Sequence, residues 1–133
     1  VLSVGPSGAH LTFEELCAAS GLVPERLREL ERFGLVVSRP VAGSVYYDDE
    51  AMVVARLAAG FLRFGVEARH LRIYKSAAER EAGFFEQIVT PLMKQRNPQA
   101  RRQAVESLVE LSRLGEGLRA SMLRRALKDY TGP

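Results

Sequence analysis

The sequence predicts a mainly α-helical fold carrying one small two-stranded β hairpin, and three observations lead there. Two short, capped helix patterns meet at a glycine in "LTFEELCAASGLVPERLRELERFG". A β-leaning run with a small-residue turn, "LVVSRPVAGSVYY", follows directly. From Glu67 almost to the end, apolar residues recur at helical spacing.

Each element has its own signals. Thr12 and Glu15 stand at capping-box spacing and Leu11 and Leu16 at that of a hydrophobic staple, so a short helix starts after Thr12 and ends near Ser20. Gly21 supplies the positive φ of a tight turn. Pro24 suits the first position of a second helix, whose apolar side is Leu27, Leu30 and Phe33 and which Gly34 stops. The β-leaning runs turn at Ala42 to Ser44. Asp48 or Asp49 caps a third helix from about Glu50 to Phe64, ended by Gly65.

Further on, Phe84, Ile88 and Leu92 form one i, i+4 row and Phe85, Val89 and Met93 the next, with a kink expected at Pro91. Asn97 and Pro98 start a last helix that runs to about Tyr130. On it Ala104, Leu108, Leu111, Leu118 and Met122 make a heptad-like stripe interrupted at Gly115, with Val105, Val109, Leu123 and Leu127 beside it. One face serves the chain itself and the surplus serves a partner. A homodimer is therefore expected, with Leu108, Leu111, Leu118 and Met122 as interface candidates.

Composition narrows the function classes. A chain of 133 residues with 47% hydrophobic content buries an ordinary core. Of its 19 basic residues 16 are Arg, yet the net charge is only +3, which permits nucleic-acid contact without arguing for it. The dominance of Arg over Lys, beside abundant Ala, Val, Leu and Gly, suits a bacterial cytoplasmic protein. The lone Cys17 forms no internal disulfide and reads as a structural thiol; His10 and His70 stand far apart, so no metal cluster and no cofactor is expected. No apolar run spans a bilayer and no membrane partner is expected. No phosphate loop, nucleophile elbow or paired carboxylates appear, so enzyme activity has no support. Residues 1–10, rich in Gly and Ser, read as a linker or an expression remnant, which leaves room for a domain upstream.

The order of elements and the phrases "LTFEELCAASGLVPERLRELERFGLV", "YYDDEAM" and "LRFGVEARHL" resemble the MerR family of bacterial transcription regulators, over about Leu11 to Ala77. Within that family the chain looks most like the C-terminal part of actinobacterial regulators associated with cell-division genes, which carry an ordinary MerR DNA-binding domain upstream. The resemblance implies a winged helix-turn-helix over 11–65 and a helical dimerisation or effector unit over 66–133. It also implies a homodimer acting on double-stranded promoter DNA, with RNA polymerase or another regulator as further partners.

Departures from the family pattern fall where DNA would be touched. The family's second helix begins with Ser or Thr before Pro and carries an Arg-Tyr-Tyr or Arg-Tyr-Trp phrase. Here Val23 precedes Pro24, and Arg28 is followed by Glu29 and Leu30. The Arg expected before the wing tyrosine is also missing, since Ser44 and Val45 precede Tyr46. From Thr12 to Tyr47 there are four basic residues (Arg26, Arg28, Arg32, Arg39) against five acidic ones (Glu14, Glu15, Glu25, Glu29, Glu31). An acidic helix in this position repels the phosphates that would position it.

The expected function is thus the regulatory and dimerising half of a MerR-type regulator, with DNA read by a separate upstream domain. One alternative is a self-sufficient double-stranded DNA binder using Arg26, Arg28, Arg32, Arg39 and Tyr46. Another is a protein-docking module. Ordinary helical ion pairing competes with DNA contact for the arginines. Phe61, Phe64, Tyr74, Phe84 and Phe85 are candidates for an apolar effector pocket, against core packing as their plainer role.

Overall fold

A computed structural model describes residues 10–132, so the expectation for a linker over 1–10 lies outside the described residues except at His10. The chain forms two compact units, Val1–Ala78 and Glu79–Pro133.

The first unit opens with an antiparallel bridge in which Leu11 and Tyr47 exchange backbone hydrogen bonds of 2.9 and 2.8 Å. Helix α1, Phe13–Ser20, then starts from a reciprocal capping box: Glu15 N–H donates to Thr12 Oγ1 at 3.1 Å, and Thr12 N–H to Glu15 Oε1 at 2.9 Å. Gly21, at φ 80°, ends it. Helix α2, Pro24–Arg32, has its proline in the first turn and closes in a Schellman turn. There Gly34 N–H donates to the Glu31 carbonyl (3.0 Å) and Leu35 N–H to that of Leu30 (2.9 Å), with Gly34 at φ 75°.

Strands β1, Arg39–Val41, and β2, Ser44–Tyr46, pair antiparallel with Arg39 opposite Tyr46 and Val41 opposite Ser44. The hairpin is shorter than the β-leaning stretch suggested. Its two loop residues, Ala42 and Gly43, both take positive φ (52° and 83°), the type I′ geometry that matches strand twist, so Ser44 belongs to a strand rather than to the turn.

Helix α3, Asp49–Leu62, is capped by Asp48, whose carboxylate accepts from Ala51 N–H at 3.0 Å. That bond and the Arg39 guanidinium, 2.8 Å away, hold the Asp48 carboxyl below the ordinary aspartate range. A carboxyl lowered on folding contributes stability above that range and loses it as pH falls through the lowered value. Asp48→Ala is therefore expected to cost about 1 kcal/mol at neutral pH. In urea titrations the gap between wild type and variant should close in strongly acidic buffer.

A 3-10 turn, Ala68–Leu71, leads into α4, Arg72–Met93. His70 helps cap this turn: its Nδ1 accepts from Glu67 N–H at 2.9 Å. The core of the first unit is Leu16, Leu27 and Leu30, each fully buried, with Val36, Tyr47, Ala51, Ala55 and Ala58 around them. Ala68 and Leu71 join it, so the segment after Gly65 remains with this unit as far as Ala78. Phe33 is only half-buried and carries the Arg72 guanidinium 5.5 Å from its ring centre.

In the second unit α4 stays helical through Pro91 and ends two residues later, at Met93. Near the end of a helix few turns remain to be broken, which limits what the missing N–H disrupts. Helix α5, Pro98–Ala126, is capped by Asn97 Oδ1 accepting from Ala100 N–H at 2.8 Å. It stops short of the expected Tyr130, and a separate turn, α6, spans Lys128–Thr131. Glu81 pairs with Arg119, and the Phe85 ring lies 3.2 Å from where a Cβ on Gly115 would stand, so α4 and α5 run antiparallel. Gly115 thus interrupts the apolar stripe because the other helix needs the space. Among the described residues of this unit only Val89, Ala100 and Ala104 are buried.

Candidate functional site

The residues proposed for DNA contact share the first unit, but most already have partners within it. Arg26 Nη1 lies 3.0 Å from Glu29 Oε1, one helical turn along α2. Arg28 rests its guanidinium over the Phe13 ring, 5.3 Å from the centre, which ties α2 back to α1. Arg39 reaches across the hairpin to Asp48, the cap of α3. Arg32 is exposed at the end of α2, and Tyr46, half-buried, faces His10 with ring centres 5.9 Å apart.

The acidic residues are equally placed. Tyr47, 4% exposed, donates its phenol proton to Glu31 Oε2 at 2.7 Å. Burial first, and then this bond, push the phenol well above the ordinary tyrosine range. Glu25 is exposed on the first turn of α2. The surface of α2 therefore offers carboxylates, with Arg26 engaged by one of them and Arg28 by a ring, and Arg32 exposed at its end. The contacts of Arg28 with Phe13 and of Tyr47 with Glu31 are not readable from sequence, since each joins residues 15 or 16 positions apart on different elements.

The aromatic candidates fall into two groups, one in each unit. Phe61 and Tyr74, ring centres 5.6 Å apart, border a groove of about 440 Å³ in the first unit, while Phe64 is 84% exposed. Phe84 and Phe85, centres 5.9 Å apart, line a second groove, of about 620 Å³, between α4 and α5. Leu111, Leu118 and Met122 line that same groove, whereas Leu108 lies on the other side of the helix pair with Val89 and Met93. Phe84, Val105, Val109, Leu114, Leu118 and Leu123 are all more than half exposed in the single chain. Such an expanse of uncovered apolar surface is unusual for a monomer.

Burial raises the Cys17 thiol above its ordinary range, with Glu14 adding to the shift and Arg28 opposing it, so the reactive thiolate is disfavoured. Among the described residues no group of three His, Cys, Asp or Glu side chains could hold a metal, and no helix is long and apolar enough to cross a membrane.

These features define a mainly helical domain with a small hairpin, an acidic second helix and an uncovered apolar helix pair. The chain belongs to the family described as the Rv1828-like C-terminal domain, whose model matches residues 9–131. Among similar proteins is the "uncharacterized HTH-type transcriptional regulator" Rv1828 of Mycobacterium tuberculosis, 32% identical over 127 residues, which are 96% of this chain and 50% of that protein. Mb1859 of Mycobacterium bovis carries the same description and gives the same figures. The chain spans about half the length of these curated relatives.

Proposed function

We propose that this chain is the regulatory and dimerising part of a MerR-type transcription regulator, and that a separate domain upstream reads the promoter. The observation that carries the reading is the intramolecular engagement of Arg26, Arg28 and Arg39, on a helix-turn-helix surface rich in carboxylates. Phosphate contacts require cations, and each of these three would first have to leave a partner, a small cost apiece at exposed positions, on a surface whose carboxylates repel the DNA backbone. In this reading the first unit is a winged helix-turn-helix whose arginines serve the fold: Arg28 joins α2 to Phe13 at the start of α1, Arg39 joins the hairpin to the cap of α3, and Arg26 pairs within α2.

The exposed apolar face of α4 and α5 supports the second half of the reading. A second copy laid against it would fix the distance between two upstream DNA readers. In the MerR family that distance matters, because the dimer distorts an overlong promoter spacer and so realigns the polymerase contacts. A signal received in this part would act by changing the separation or the angle of the two readers.

The test is titration of the 133-residue chain against fluorescently labelled duplex DNA at low salt, followed by anisotropy. No saturable rise is expected. Tight binding that weakens steeply with added salt, and weakens again in Arg32→Ala, would overturn the reading in favour of a self-sufficient DNA binder.

A further inference from the structure

We infer that the second copy in the proposed dimer is laid on the α4–α5 face about a two-fold axis that runs along the helices, so that Glu81 meets the partner's Arg119 and Arg119 the partner's Glu81. The inference rests on the dimerising role proposed above, and it names the contact that orients the two copies. Glu81 and Arg119 pair across α4 and α5 beside Gly115, and they are the only charged residues in the lining of the groove of about 620 Å³. On α5, Leu114 and Leu118 precede Arg119 and Met122 and Leu123 follow it, so the pair stands inside an apolar face rather than on its border.

A face with one carboxylate and one guanidinium complements itself in one orientation only, because a two-fold dimer presents the same patch from both sides. An axis along the antiparallel helices sets each α4 against the partner's α5 at the same level. Each charge then meets its opposite. An axis across the helices sets α4 against α4, which brings Glu81 to the partner's Glu81 or, when displaced, buries both charges beside leucines. The hydrogen bond within the chain uses Arg119 Nη1 and Glu81 Oε1, whereas a guanidinium carries donors on three nitrogens and a carboxylate has a second acceptor, so each group has capacity for a contact from the partner. Both are within reach, the Glu81 side chain being 27% and that of Arg119 56% exposed. The other side of the helix pair, around Val89, Met93 and Leu108, has two glutamates and no cation in its lining, so a copy laid there would bring Glu86 no opposite charge.

The test reverses the pair within one chain. Glu81→Arg together with Arg119→Glu keeps an ion pair between α4 and α5, and it also keeps opposite charges facing each other across a homodimer. A mixed dimer with the unaltered chain instead sets arginine against arginine and glutamate against glutamate. Equimolar mixing at micromolar concentration, read by native mass spectrometry, is expected to give the two homodimers, with the mixed dimer about tenfold or more below its statistical share, because like charges placed face to face at an interface are strongly disfavoured. Single reversals give the converse. Glu81→Arg alone and Arg119→Glu alone should each stay monomeric, and their mixture should form a dimer.

A statistical proportion of mixed dimer would overturn the inference and leave the dimerising role standing, because the pair would then act within each chain alone. Single reversals that dimerise by themselves would overturn it too. Should the doubly reversed chain fail to pair, the mixture of single reversals decides: a dimer there supports the contact and its absence overturns it. An unaltered chain that stays at 14.7 kDa removes the proposed dimer itself, and this contact with it.

Discussion

Replacing Leu118 and Met122 together by Glu is expected to leave a 14.7 kDa monomer at concentrations where the unaltered chain is expected to pair. Both side chains line the groove between α4 and α5, and they are 63% and 41% exposed in the single chain, so the glutamates would be solvated in a lone protomer and would not unfold it. Against a second copy the same carboxylates lose their water beside apolar neighbours. Stripping unpaired charges of solvent costs several kcal/mol, so the dimer should weaken by a factor on the order of 1,000 or more. Sedimentation equilibrium reads the result directly. Val53→Glu, at a position 49% exposed on α3 in the other unit, is the control and should leave the mass unchanged.

Leu27→Ala carries the second large effect, this time on stability. Leu27 is fully buried on α2 and belongs to the same core cluster as Leu16 and Leu30. Truncation removes buried methyl groups and leaves a cavity that flanking helices fill only in part, a loss of about 3 kcal/mol. The urea midpoint should fall accordingly. Leu57→Ala, the same change at an exposed site on α3, should move it little.

Local structure was legible in the sequence to the extent that it depends on neighbours in the chain. The Thr12–Glu15 capping box, the positive φ at Gly21 and Gly34, Pro24 in the first turn of α2 and the Asn97 cap all act within a few residues, and all stand where their spacing places them. The hairpin's loop was less legible, because type I′ geometry asks for positive φ from Ala42 as well as Gly43, a conformation that alanine does not advertise. The break at Leu127 between α5 and α6 has no glycine or proline to announce it.

The candidate site was legible only as a list of residue types. Counting charges from Thr12 to Tyr47 showed an acidic surface, but not that Arg28 would settle on Phe13 or that Tyr47 would hold Glu31. Those contacts depend on the packing of α1, α2 and the strand end, which no periodicity encodes. Lys75 was invisible for the same reason. Its stem lies across Gly34, 41 positions earlier, a seat that exists only once the end of α2 and the first turn of α4 are in place. Gly115 reads in sequence as a flaw in the apolar stripe and proves to be the point where α5 admits Phe85 and Glu81 of α4.

The proposed function has the α4–α5 face join two copies while the surface of α2 leaves DNA alone. Its most direct test is sedimentation equilibrium of the unaltered chain at micromolar concentration and low salt, with a labelled promoter duplex in the same cell and each component followed at its own wavelength. The prediction is a protein of twice 14.7 kDa with the duplex sedimenting as free DNA. A protein that stays at 14.7 kDa, or one whose mass moves with the duplex, would contradict it.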